Sequence, residues 1–118
     1  MTKTFRKLGV LGLIPLLVIT MGTPAVAGFH RSRVMAFDSE TWNIDVTQGE
    51  VISIDVRGDQ DTDLDCFARQ GGTLLGKDDD ETDHCVIRVR AIRTGTLRLE
   101  IENLGNVYNE YELDIRRR

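Results

Sequence analysis

The sequence predicts an all-β protein, an antiparallel β-sandwich with one inter-strand disulfide. After residue 28, apolar and polar residues alternate with a period of two, the pattern of strands that have one buried face. Turn signals such as Gln48-Gly49 separate the alternating runs, and no ten-residue stretch there has the 3.6-residue apolar period of a helix. Short strands with one polar face each predict two sheets packed face to face.

The first 27 residues have the three parts of a cleavable signal peptide. Basic residues precede an apolar run over residues 8–21, and the small residues Ala25 and Ala27 fit the signal peptidase pattern. The run is shorter than the roughly 20 residues that a membrane-spanning helix needs, although an uncleaved anchor is the alternative. We therefore expect export to the periplasm or the extracellular space, with residues 1–27 removed and no stable membrane insertion afterwards.

Residues 28–118 form one predicted domain beginning at Gly28. A chain of about 90 residues buries only about 60–65% of its unfolded surface, so its stability is marginal without a cross-link. Cys66 and Cys85 are the only cysteines, and each falls on the apolar side of its own strand. An even cysteine count in an oxidising compartment predicts a disulfide, which would stabilise the fold by about 3 kcal/mol.

Six or seven short strands are predicted. Clear alternation places six of them over residues 42–47, 51–57, 64–68, 85–91, 97–101 and 111–115. The first two flank Gln48-Gly49 and are predicted to pair as a hairpin, whereas Gly76-Lys77-Asp78 is predicted to be a turn. The residues expected in the core are Trp42, Ile44, Ile52, Ile54, Ile87, Val89, Leu97, Leu99, Ile101, Leu113 and Ile115.

Charge argues against nucleic acid as a partner. Removal of the leader's three basic residues leaves 12 Lys and Arg against 19 Asp and Glu, a net charge of −7. Nucleic-acid binding needs clustered Lys and Arg to neutralise phosphates. The single basic run, Arg116-Arg117-Arg118, is more typical of a solvated tail.

The segment from Asp59 to Asp83 concentrates nine acidic residues against two basic ones. Calcium takes six to eight oxygen ligands from such loops, although the EF-hand spacing is absent because Cys66 stands where that loop needs glycine. The alternative is a solvated acidic loop that caps turns and keeps the domain soluble. The candidate calcium ligands are Asp59, Asp61, Asp63, Asp65, Asp78, Asp79, Asp80 and Asp83.

Catalytic residues are not indicated. The histidines are His30, expected near a frayed start, and His84, expected on a loop or strand edge. No serine lies in a nucleophile-elbow context, and paired carboxylates would need a cleft that a small sandwich rarely has. We expect a protein that is not an enzyme.

Short motifs resemble those of bacterial pre-peptidase C-terminal domains over residues 42–115. They are the segment from Gly58-Asp59 through Asp63-Leu64-Asp65, the acidic turn at Gly76–Asp80, the strand at Thr94–Asn103, and Tyr111-Glu112-Leu113. The resemblance implies a jelly-roll-like sandwich that serves secreted enzymes as a non-catalytic accessory module, sometimes with calcium. No catalytic domain accompanies it in this sequence, and Leu97 replaces the usual aromatic residue.

The function expected from these observations is that of a stand-alone exported binding or interaction module with a protein or glycan partner. A structural or envelope-associated protein without a specific ligand is the alternative, and a small hydrolase ranks third. A basic or aromatic patch on one sheet would favour the binding module. A mixed surface without a concavity would favour the structural protein.

Overall fold

Nine strands form two sheets in the computed structural model, which describes residues 2–5 and 28–118. The five-stranded sheet has the order β1-β3-β8-β5-β6, and the four-stranded sheet has the order β2-β9-β4-β7. The strands are β1 (Thr2–Phe5), β2 (Gly28–Val34), β3 (Ser39–Val46), β4 (Val51–Arg57), β5 (Leu64–Gln70), β6 (Thr73–Asp78), β7 (His84–Arg90), β8 (Gly95–Asn103) and β9 (Asn109–Arg117). Within these ranges every strand pair is antiparallel except β1 with β3. The predicted β-sandwich is confirmed.

The hydrophobic core lies between the two sheets and contains every core residue that the alternation predicts. Leu99 and Ile101 of β8 face Ile54 of β4 and its neighbours, while intervening residues such as Arg98 face solvent. Burial of one face of each strand removes its apolar side chains from water, which is the main force that holds the sheets together.

The disulfide joins the two sheets. Cys66 lies on β5 of the five-stranded sheet and Cys85 on β7 of the four-stranded sheet, with their Cα atoms 6.2 Å apart. Both residues are fully buried, as the strand parity predicted. The Cys66–Cys85 bond is therefore confirmed, and it crosses the core.

The hairpin predicted around Gln48-Gly49 is wrong. The turn itself forms, with Gly49 at a φ of 86° and the Glu50 amide donating to the Thr47 carbonyl at 2.9 Å. However, β3 pairs with β1 and β8, whereas β4 pairs with β7 and β9 in the other sheet. A tight glycine turn reverses the chain in a hairpin and in an arch between sheets alike, so its sequence does not distinguish them.

The expectation of a frayed start around His30 is also wrong, because β2 pairs with β9 along its whole length. The inward positions of β2 include His30 and Ser32, so the strand lacks the apolar alternation that would predict it. Its polar inward residues are accommodated because they face a buried polar cluster, described below.

Gly76-Lys77-Asp78 is part of β6 rather than a turn. A Cβ atom on Gly76 would lie 2.8 Å from Cγ1 of Val89, so the glycine permits close packing of the edge strand on β7. The other side chains of β6 are exposed or half-buried, and an exposed edge strand gives no alternation.

β1 comes from the predicted leader, whereas the predicted apolar run and cleavage site lie outside the described residues. Within the described residues, no helix has the length and hydropathy to cross a membrane. Four connections gather at one end of the sandwich, which we call the loop end. They are residues 35–38, 58–63, 79–83 and 104–108.

Candidate functional site

The loop end presents exposed apolar side chains on two adjoining connections. Phe37 is the most exposed of them, at 72%. Large apolar side chains grouped on loops are typical of a binding surface, because water contact with them is unfavourable in the free protein. We call the five residues the apolar loop patch: Met35, Phe37, Leu104, Val107 and Tyr108.

Asn103 holds these two connections together. Its side chain is 1% exposed, and its Nδ2 donates to the carbonyls of Met35 at 3.2 Å and Val107 at 2.8 Å. Its Oδ1 accepts from the Gly105 amide at 2.9 Å, and the Phe37 amide donates to the Gly105 carbonyl at 3.0 Å. The patch is therefore fixed by buried hydrogen bonds before any partner arrives.

Phe37 itself adopts a left-handed backbone conformation, with a φ of 55°. Such a conformation is uncommon for a bulky residue and costs of order 1–3 kcal/mol unless the surroundings hold it. Here the turn around it is closed by the Asp38 amide, which donates to the Met35 carbonyl at 3.1 Å. In this conformation the Phe37 ring is 72% exposed and lies at the surface of the loop end.

A second buried asparagine attaches the acidic connections to this platform. Nδ2 of Asn109 donates to Oγ1 of Thr62 at 3.1 Å and to Oδ2 of Asp83 at 3.2 Å. Its Oδ1 accepts from the Asp59 amide at 3.1 Å. Residues 58–63 and 79–83 thus lie beside the start of β9, next to the apolar loop patch.

Several of the predicted calcium ligands cap turns in the structure. Asp59 accepts from the amides of Asp61 at 3.1 Å and Glu110 at 2.9 Å. Asp80 accepts from the amide and hydroxyl of Thr82, and these bonds lower the pKa of Asp80.

Two more carboxylates of this group have local partners. Oδ2 of Asp78 accepts from the Val86 amide at 2.9 Å, and Asp79 pairs with Lys77 at 3.0 Å. Such contacts agree with the alternative to calcium binding, a solvated loop whose acidic side chains stabilise turns.

Asp63 and Asp65 differ from their neighbours. Each is half-buried, and each has a buried Oδ1 without a hydrogen-bond partner among the described residues. Burial raises the pKa of both, and nearby carboxylates such as Asp80 raise it further. Within the described part of the chain, no three His, Cys, Asp or Glu side chains are arranged to hold a metal ion. Calcium binding stays a prediction.

The outer face of the four-stranded sheet is the second candidate surface, which we call the sheet face. It has a concavity of about 700 Å³, with Phe29 and Val86 exposed beside it. Across this face the strands present six arginines and four carboxylates: Arg31, Arg33, Arg57, Arg88, Arg90 and Arg116, with Asp55, Glu110, Glu112 and Asp114. A basic and concave face of this kind is a feature that the sequence analysis associates with a binding module.

Ion pairs connect many of the charged side chains on the sheet face. Arg31 pairs with Glu112 at 3.1 Å, and Arg116 pairs with Asp114 at 3.1 Å. His84, exposed at the start of β7, lies 3.0 Å from Asp55. Each of these exposed pairs adds little to the stability of the fold. Their main effect is on the pattern of charge at the surface.

A buried polar cluster lies between β2, β3 and β9. Oε1 of Glu40 accepts from the hydroxyl groups of Ser32, at 2.9 Å, and Tyr111. Nε1 of Trp42 donates to the Tyr111 hydroxyl at 2.8 Å. Ser32 donates to a carboxylate rather than to an imidazole, so the cluster is not the nucleophile–base pair of a serine hydrolase.

The apolar loop patch and Glu40 are the residues that the sequence analysis missed. Met35 and Phe37, like Val107 and Tyr108, lie in segments without alternation, where apolar residues had no assigned role. Apolar residues inside turn segments were the available signal. Glu40 gave no signal, because a carboxylate at the start of a strand is usually solvated.

Solved structures with the same arrangement of strands include a pre-peptidase C-terminal domain of a collagenase from Bacillus anthracis. It superposes with a TM-score of 0.69 at 11% identity, over 98% of this chain and 95% of that one. This chain has the fold of a pre-peptidase C-terminal domain. No family model matches the sequence, and no curated protein sequence matches it.

Two periplasmic inhibitors of g-type lysozyme, both called PliG, have the same fold. The Aeromonas hydrophila protein has a TM-score of 0.68 at 8% identity, over 99% of this chain and 97% of that one. The Salmonella Typhimurium protein has a TM-score of 0.61 at 11% identity, over 98% of each chain. At these identities the likeness concerns the fold alone.

Proposed function

We propose that this protein is an exported, non-catalytic module that binds a protein partner through its loop end. The observation that carries the proposal is the apolar loop patch, held on two connections by the buried side chain of Asn103. Exposed aromatic anchors on a rigid platform bind well because little conformational entropy is lost on association. The patch has this composition, since it includes Phe37 and Tyr108.

Charge favours a basic partner. The segment from Asp59 to Asp83 has a net charge of −7, and Asn109 ties its two ends to the base of the loop end. Carboxylates beside an apolar patch attract a partner surface rich in Lys and Arg and accelerate the encounter. The apolar residues then supply the contact area.

The structural neighbours support a binding role for a domain of this size. PliG proteins are inhibitors of g-type lysozyme and are periplasmic, and their chains match this one over nearly their whole length. The other neighbour is a domain of a collagenase. On this support we assign the present chain to the exported binding modules, with an enzyme of the cell envelope or its surroundings as the partner.

A non-catalytic role fits the chemistry of the described residues. Ser32 is engaged with Glu40, and His84 is engaged with Asp55, so neither forms a nucleophile–base pair. The paired carboxylates of the sheet face, Asp55 and Asp114, lie opposite each other on neighbouring strands. Each already pairs with an arginine of its own strand.

A glycan partner is the second candidate, and the sheet face favours it. Its concavity of about 700 Å³ combines the exposed ring of Phe29 with carboxylates and guanidinium groups. Rings and hydrogen-bonding groups of this kind suit sugar rings and their hydroxyl groups. The two candidates use different surfaces, so one pair of variants separates them.

The test compares two matched double variants. Phe37→Asn with Tyr108→Ser removes two aromatic rings from the loop end, and asparagine tolerates the left-handed backbone at position 37. Phe29→Ser with Val86→Ser removes two equally exposed side chains from the sheet face. Both proteins should melt close to the wild type, because all four positions are exposed.

Purified g-type lysozyme serves as the first probe, with inhibition of its activity and binding to immobilised protein as the readouts. A fractionated exported extract follows, and any retained protein is purified and titrated again. Binding should fall at least about tenfold in the loop-end variant and stay within about twofold in the sheet-face variant. Loss of binding in the sheet-face variant alone, or glycan retention that this variant abolishes, would overturn the proposal.

A further inference from the structure

β1 lies along the outer edge of β3, parallel to it. The register sets Lys3 opposite Trp42 and Phe5 opposite Ile44. This strand belongs to residues 1–27, which the sequence predicts to be removed on export. The core and the disulfide do not depend on it, because the twenty core residues in the described part of the chain all lie between Val34 and Ile115. Loss of the leader therefore leaves a folded sandwich with the backbone of β3 unpaired at this edge.

A buried carboxylate faces the same edge. Glu40 on β3 is 3% exposed with β1 in place, and its Oε1 accepts from the hydroxyl groups of Ser32 and Tyr111. Its other oxygen, Oε2, lies 3.9 Å from Nζ of Lys3. The ammonium group of β1 is therefore the charge partner of a carboxylate that is otherwise held by neutral donors. Departure of β1 would leave this oxygen without its cation.

We infer that, in the exported protein, the outer edge of β3 is a strand-acceptor site for an extended basic segment of a partner protein. The segment pairs with β3 in parallel and places a Lys or Arg side chain on Oε2 of Glu40. Backbone hydrogen bonds to the open edge supply affinity, and the buried carboxylate supplies selectivity for the basic residue. The inference rests on removal of residues 1–27, and it concerns the edge of β3, which begins beside the loop-end connection of residues 35–38.

A second copy of this chain does not suit the edge. Residues 39–46 contain Glu40 and Asp45 but no Lys or Arg, so pairing of two β3 edges would bring carboxylates together without a cation. The segment that does occupy the edge carries Lys3 at the position of the charge contact. The occupant we assign therefore has the chemistry of β1: short, extended and basic.

The test uses the exported protein, with its N-terminus established by intact mass. The probe is the peptide Thr-Lys-Thr-Phe-Arg-Lys, which has the sequence of residues 2–7. Trp42 is the chain's only tryptophan, and it is hydrogen-bonded to the Tyr111 hydroxyl that contacts Glu40. Its fluorescence therefore reports on the site directly.

Two altered peptides provide matched charge controls, because each loses one positive charge. Lys3→Gln removes the group that reaches Glu40, whereas Arg6→Gln alters a residue outside the described register of residues 2–5. We expect saturable binding of the parent peptide, about tenfold weaker binding of the Lys3→Gln peptide, and a change below about threefold for Arg6→Gln. In the Glu40→Gln protein, checked for folding by its thermal melt, the Lys3 preference should disappear.

Three results would overturn the inference. The first is the absence of a saturable Trp42 response, and the second is equal weakening by the two peptide changes, which indicates nonspecific attraction to an acidic protein. The third is an exported protein that retains residues 1–27, since its own β1 then occupies the edge. The comparison of the three peptides uses the unaltered protein, so its result holds even if the Glu40→Gln protein misfolds.

Discussion

The side-chain amide of Asn103 donates a 2.8 Å hydrogen bond to the backbone carbonyl of Val107, across the connection between β8 and β9. The same nitrogen donates to the carbonyl of Met35 at 3.2 Å, on the connection between β2 and β3. One buried residue thus sets the relative position of the two segments that carry the apolar loop patch. The shape of the proposed binding surface depends on it.

Asn103→Ala should lower the free energy of unfolding by about 2–3 kcal/mol, because it leaves buried backbone groups without hydrogen bonds. It should also weaken partner binding, since the two loops lose their common anchor. Asn106→Ala, at an exposed position of the same connection, is the matched control and should change stability by less than about 0.5 kcal/mol. Denaturant melts provide the measurement. Equal effects of the two substitutions would show that Asn103 does not hold the loops.

The cross-core disulfide should stabilise the protein by about 3 kcal/mol, because it restricts the unfolded chain between Cys66 and Cys85. The measurement compares denaturant melts of the oxidised protein with those of the Cys66→Ala, Cys85→Ala double variant. Intact mass of exported material should begin at Gly28 and lack two hydrogens. A free thiol in the native protein would contradict the bond, and a retained leader would contradict the predicted cleavage.

The pKa values of Asp63 and Asp65 are raised in the folded protein, first by burial and then by neighbouring carboxylates. The folded state therefore binds their protons more tightly than the unfolded state does, so stability falls as pH rises through the unfolded value, about 3.9, towards the folded one. Asp63→Asn and Asp65→Asn should raise the melting temperature at pH 7. The gain should vanish near pH 3, where both states are protonated.

Asp80→Asn is the control of opposite sign. Hydrogen bonds from Thr82 lower the pKa of Asp80, so its contribution is present above the unfolded value and is lost as pH falls through the folded one. The substitution should therefore lower the melting temperature at pH 7. The measurement is the melting temperature of each variant and of the wild type over pH 2.5–8, in steps of about half a pH unit. A destabilising Asp63→Asn at pH 7 would contradict the unfavourable burial of that carboxylate.

Added calcium tests whether the half-buried carboxylates of Asp63 and Asp65 bind this ion. An ion bound by the folded state alone, at 100 times its dissociation constant, would add about 2.7 kcal/mol of stability. Magnesium should do much less, because it requires tight octahedral geometry. Thermal melts in chelator, calcium, magnesium and matched sodium chloride make the comparison. Equal shifts from calcium and magnesium at one ionic strength would mean that the acidic segment is only a capped and solvated loop.

Strands with apolar inward residues were predictable from sequence, because alternation reports burial directly. Leu99 and Ile101 are examples, and so is the parity of Cys66 and Cys85. β2 and β6 were not predictable by that rule, since the inward positions of β2 are polar and Gly76 in β6 has no side chain. Pairing across the sandwich depends on distant strands, so a local turn signal could not assign β3 and β4 to different sheets.

The candidate site was predictable only in part. The acidic segment is visible in the sequence, and in the structure its two halves meet beside Asn109 at one end of the sandwich. The apolar loop patch was not predictable, because its two halves, around Phe37 and Tyr108, are about 70 residues apart and are joined by long-range hydrogen bonds, chiefly those of Asn103. Hydrogen bonds from one buried side chain to distant residues produce no periodic pattern in the sequence.

Hydroxyl-radical footprinting of the protein in complex with its partner tests the central claim most directly. The method reports side-chain exposure, and the chain offers reactive residues on both surfaces: Met35, Phe37 and Tyr108 at the loop end, with Phe29 on the sheet face. Binding should protect the three loop-end side chains several-fold and leave Phe29 as reactive as in the free protein. Protection of Phe29 with unchanged reactivity of Phe37 and Tyr108 would contradict the account.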